Sequence, residues 1–105
     1  MTDLQALLDM RRSGYKPASV WLLDWPGPAS PYTPAEPWPA DMAQPEIRVH
    51  GLTPALVDLR PAQGCRVHVC GDDQRRAIDW ADRLLACGAA IVYTHTNGDL
   101  ATWRP

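Results

Sequence analysis

The chain has 105 residues, a formal charge of −2 with both signs mixed, and three cysteines. A chain of this length implies one domain that buries about 65% of its unfolded surface, enough for one modest core. The charge excludes a broad electrostatic footprint for nucleic acid or an anionic membrane, and an odd cysteine number at no disulfide-framework spacing points to a reducing cytoplasm.

Asp3 and Asp9 interrupt the N-terminal residues, which lack the long apolar run of a signal peptide or a membrane span. Lys16 is the only lysine, Phe is absent, Asn97 is the only asparagine, and Ala and Pro are abundant. This bias resembles the coding output of a GC-rich bacterial genome. It concerns origin, not mechanism.

Thr2 followed by Gln5 fits a capping box, and Leu4, Leu7 and Leu8 share one face, so a helix is expected over about residues 3–13, ended by Gly14. Lys16–Pro17 forces an extended conformation. The apolar run Ser19 to Asp24 reads as a central or near-central strand.

Residues 25–45 form a Pro-rich loop. Prolines 28, 31, 34 and 37 recur every third residue, the period of polyproline II, with Ala29, Tyr32, Ala35 and Trp38 as a second column. Such a segment either docks into a partner's aromatic groove or lays Tyr32 and Trp38 on its own domain's core; a small domain short of apolar cover favours the second.

Glu46 to His50 alternates as a half-buried strand. Thr53–Pro54 suits the start of one or two helical turns. Residues 65–95 then carry a βαβ pattern: a strand from Cys65 to Cys70, a turn at Gly71, an N-cap at Asp72, a helix over about 73–87, a Gly88 cap, and a buried strand from Ala89 to Thr94. Asn97–Gly98 is a strong hairpin signal, so Leu100 to Trp103 is expected to return antiparallel at the sheet edge.

These readings give a single α/β or α+β domain over 1–105. It should hold a mixed four- to five-stranded sheet, two main helices, and a C-terminal hairpin after the βαβ unit.

In an open α/β sheet, ligands bind outside the carboxyl ends of the parallel strands. That rim would carry Asp24, His50, Asp72, Asp73 and His95. The ligand types could suit a metal, but no HExxH or CxxC spacing is present, so no metal site is expected. Asp72 and Asp73 would repel a phosphate at the helix start, and neither GxGxxG nor GxxxxGK[ST] occurs, so no cofactor is expected. No GxSxG nucleophile occurs either. Cys65 points to the opposite strand face from His68 and Cys70, and the cysteines read as small buried hydrophobes.

Five tryptophans are many for this length. Trp21 reads as core. Trp80 sits at the flank of its helix's apolar face. Trp25, Trp38 and Trp103, with Tyr32, are the candidate partner-binding residues.

The resulting expectation is a small cytoplasmic accessory protein, without catalysis, that binds another protein. Accessory proteins of mobile elements, including inhibitors of host complexes, are one such class. The alternative is a small-ligand-binding or metal-dependent enzyme using the carboxyl rim. Self-association through an exposed edge strand is a further expectation.

Overall fold

The computed structural model describes residues 8–9, 11–14, 19–24, 46–49 and 51–105. Strands β1 (Ser19–Asp24), β2 (Glu46–Arg48), β3 (Arg66–Gly71), β4 (Ile91–Thr96) and β5 (Asp99–Trp103) form a mixed sheet in the order β2-β1-β3-β4-β5. The first four run parallel, and β5 returns antiparallel to β4. Helix α1 (Gln74–Ala86) connects β3 to β4. The result is a small α/β domain with one main helix among the described residues. Of the expected N-terminal helix, Leu8, Asp9, Arg11 and Arg12 are helical; its remaining positions, like the whole of 25–45, lie outside the described residues.

Strand alternation sorts side chains to two faces of the sheet. Val20, Leu22, Ile47, Val67, Val69 and Val92 face α1 and pack with its Ala77, Trp80, Ala81 and Leu84 in the main core. Trp21, Leu23 and Cys70 form a second buried cluster on the other face. Burial on both faces explains why β1 reads as one continuous apolar run instead of an alternating one.

The connection from β2 to β3 crosses β1 on the α1 face. It carries two 3-10 turns, Pro54–Leu56 and Arg60–Ala62, which bury Pro54, Pro61 and Ala62. The first is a single helical turn at the expected place, of 3-10 type, and Thr53 makes no side-chain capping bond. Arg11 secures this crossover: its guanidinium donates to the carbonyls of Pro61 (3.1 Å) and Gln63 (2.8 Å).

The helix start differs by one residue from the sequence expectation. Asp73, not Asp72, is the N-cap, and its carboxylate accepts from the backbone N–H groups of Arg75 and Arg76. Gly71 still belongs to the ladder, opposite Asp24 and Thr96, so the chain turns one residue later. Gly88 ends the helix at φ 95°, with its N–H donating to Leu85 O at 3.0 Å. A Cβ there would both strain the backbone and meet Gln63 Cγ at 3.0 Å. Gly88→Ala should therefore destabilise the fold by about 1–2 kcal/mol, read as a lower urea midpoint at unchanged slope.

Candidate functional site

Two constellations lie near the carboxyl half of the sheet, one on each face. The first is built on Asp24, the last residue of β1. Its side chain points to the α1 face, in phase with Val20 and Leu22, and is 4% exposed. Oδ2 accepts from Arg76 Nε at 2.8 Å and from the Trp80 indole N–H at 3.1 Å, and Oδ1 accepts from Arg76 Nη2 at 3.3 Å. Arg76 and Trp80 are four residues apart, so both project from the same side of α1 toward β1. Arg76 Nη2 also donates to Leu52 O at 2.8 Å, which ties in the crossover. The hydrogen bond to Asp24 holds the Arg76 guanidinium above its usual range.

Gly71 packs closely against this corner. It lies directly beside Asp24, and a Cβ on it would sit 3.1 Å from Asp24 O. The strand order reverses between β1 and β3, which is where an open α/β sheet usually opens a ligand crevice. Here the Asp24–Arg76–Trp80 contacts occupy that position on the α1 face.

The second constellation lies on the opposite face. Trp21, His68 and Tyr93 are register neighbours on β1, β3 and β4. Trp21 stacks on His68 with ring centroids 4.0 Å apart and planes within 4°, and Tyr93 stacks on the other side at 4.8 Å. His95, two residues along β4, is fully buried. His68 Nδ1 and His95 Nε2 are 3.0 Å apart, so one proton lies between them, carried by either ring. Burial pushes the His68 pKa down from 6.5 to about 4, with His95 and the Arg66 charge adding to the effect. The His68 ring is therefore neutral near pH 7.

The expected rim residues do not converge. Asp24 and His95 point to opposite faces of the sheet. Asp73 caps α1, and Asp72 is exposed, with its carbonyl accepting from Asn97 Nδ2 at 3.3 Å. His50 lies outside the described residues. Among the described residues, no group of three or more His, Cys, Asp or Glu side chains is placed to hold a metal. Of the candidate partner-binding residues, Tyr32, Trp38 and Trp25 lie outside the described residues. Trp103 is half-buried against the main core, and its indole N–H donates to Thr94 Oγ1 at 2.9 Å. Trp80, expected at the flank of α1, is fully buried because Asp24 provides an acceptor for its N–H.

Sequence reasoning missed His68, Arg76 and Trp80 as members of these clusters. The i, i+4 spacing of Arg76 and Trp80 was available as a signal. The pairing of His68 with His95 requires the β3–β4 register. Compared with known proteins, the chain matches no family model, no curated protein and no solved structure.

Removing the Asp24 charge leaves Arg76 and the Trp80 N–H without their acceptor. Asp24→Ala should cost about 2–3 kcal/mol, less than a wholly buried pair because Arg76 is 35% exposed, measured by urea unfolding. His68 gives a separate pH signature. Between about pH 4 and 6.5 the unfolded chain binds a proton that the folded chain does not. Stability is thus full above about 6.5 and falls as the pH drops toward 4. After allowance for nearby solvent, the loss is on the order of 1–2 kcal/mol. His68→Phe should flatten that part of the stability-against-pH curve relative to wild type.

Proposed function

We propose that this chain is a protein-binding domain without catalysis of its own. The observation that carries the reading is the direction of the ionisable groups at the carboxyl rim. Asp24 is turned inward onto Arg76 and Trp80, and Asp73 onto the helix start. A general acid or base must reach a substrate proton. Both Asp24 oxygens accept from groups of the fold itself. The fully buried His95 lies on the other face, where no solute meets it without displacing its neighbours. A ligand cleft along the rim would need these groups on one side.

Protein binding is further supported by the crossover. Leu56 is 85% exposed and lies between half-buried Leu52 and Val57 in sequence, at the first 3-10 turn. An exposed large apolar side chain on a short, Pro-fixed turn is a low-entropy anchor of the kind that fills a partner's pocket. The mixed surface and the charge of −2 favour a protein over a nucleic acid as that partner.

Leu56→Asp changes only an exposed tip and should leave the thermal transition within a few degrees of wild type. Affinity capture from a lysate of the source cells, quantified by mass spectrometry, should enrich a specific partner at least about tenfold more with wild type than with Leu56→Asp. Equal enrichment by the two folded proteins would sink Leu56 as the anchor.

A further inference from the structure

Strand β5 is an edge of the sheet, and its residues Asp99, Leu100, Ala101 and Thr102 are exposed. The turn before it is the two-residue Asn97–Gly98 turn, with φ of 49° and 88°. In such a hairpin the flanking pair, here Thr96 and Asp99, exchanges both backbone hydrogen bonds, and every second pair does the same. Ala101 and Trp103 thus turn their backbone groups toward Thr94 and Val92. Leu100 and Thr102 turn theirs outward, and among the described residues no strand pairs with them.

Edge strands that stay single carry lysine, proline, a bulge or an inward-pointing charge. β5 has no lysine or proline within Asp99–Trp103, and its register with β4 runs from Asp99 to Trp103 without a bulge. Its central side chains are uncharged. Leu100 is also one of two exposed large hydrophobics among the described residues, at 39% exposure.

We propose that β5 pairs antiparallel with β5 of a second copy, about a two-fold axis at Ala101. The charges at its ends select this occupant and this direction. Asp99 begins the strand and Arg104 follows it. Antiparallel pairing runs the acidic end of each copy along the basic end of the other. Parallel pairing would set Asp99 against Asp99 and Arg104 against Arg104. With the axis at Ala101, Leu100 faces Thr102 of the second copy, so the outward N–H and C=O groups of both satisfy each other. The small Ala101 side chain meets its own copy without a clash. The Leu100 side chains become diagonal neighbours on one face and cover each other. The two sheets continue as one across the axis.

This pairing uses a surface separate from Leu56. Its test is sedimentation equilibrium of the purified full chain from low micromolar to millimolar concentration, with Leu56→Asp included. Wild type and Leu56→Asp should both form dimers reversibly. Thr102→Pro removes an outward N–H and leaves the bonds to β4 intact, so it should remain folded and sediment as a monomer. In the dimer Asp99 faces Trp103 of the second copy, with Arg104 next to it. Asp99→Arg should therefore weaken association about threefold through the charges at the strand ends, and Asp99→Arg combined with Arg104→Asp should restore it. Ala101→Cys faces itself in a non-hydrogen-bonded pair, the geometry in which cross-strand disulfides form. Oxidised glutathione should convert that variant to a covalent dimer. A monomer at every concentration overturns the pairing while leaving partner capture through Leu56 standing. A dimer that survives Thr102→Pro, and in which Ala101→Cys does not cross-link, also overturns it.

Discussion

The Asp24 carboxylate receives hydrogen bonds from Arg76 and Trp80, and through Arg76 it connects to the Leu52 carbonyl. This interaction joins the end of β1, the first half of α1 and the crossover from β2 to β3. Arranging it demands much of the sequence. Asp24 must end the strand in phase with the core face. Gly71 lets β3 pass close beside Asp24, where a Cβ would sit 3.1 Å from Asp24 O. Arg76 and Trp80 must stand one helical turn apart. A carboxylate in such a place is expensive to desolvate, and hydrogen bonds to both oxygens offset that cost. In return the pair fixes the angle at which α1 leaves β3 and lies on the sheet.

The same sheet solves a different problem on its other face. Trp21, His68 and Tyr93 form a row of stacked rings across three parallel strands, and His95 completes it by sharing a proton with His68. His68 is held neutral chiefly by burial, with His95 and the Arg66 charge adding to the effect. Flat rings of similar size stack at the spacing set by neighbouring strands, about 4.8 Å, so the register itself brings them together. The physical consequence is a buried polar pair, His68 and His95, whose His68 ring carries no charge near neutral pH.

Local chemistry was legible in the sequence wherever it is decided within a few residues. The Asn97–Gly98 turn, the Gly88 cap, the apolar face of α1 and the near-central position of β1 all follow from short-range rules. Even there the N-cap is Asp73 and not Asp72, because Gly71 keeps its place in the ladder beside Asp24. What could not be read is anything that depends on which strands are neighbours. Asp24 reads from sequence as a rim acid open to solvent, and only the placement of α1 turns it into the acceptor for Arg76 and Trp80. His68 reads as one more residue of an alternating strand, and only the β1–β3–β4 register stacks it between Trp21 and Tyr93.

That difference bears on where an interaction surface can lie. A crevice at the reversal of strand order needs side chains left over from building the core. In this domain Asp24, Arg76 and Trp80 occupy the α1 side of the reversal, and every rim acid among the described residues other than Asp72 is engaged with the fold. Apolar and backbone groups, by contrast, remain exposed at the crossover tip and along β5. With the α1 side of the reversal closed by the salt bridge, the crossover tip and β5 are the exposed apolar and backbone surfaces among the described residues, and the proposed partner binding and self-pairing rest on them.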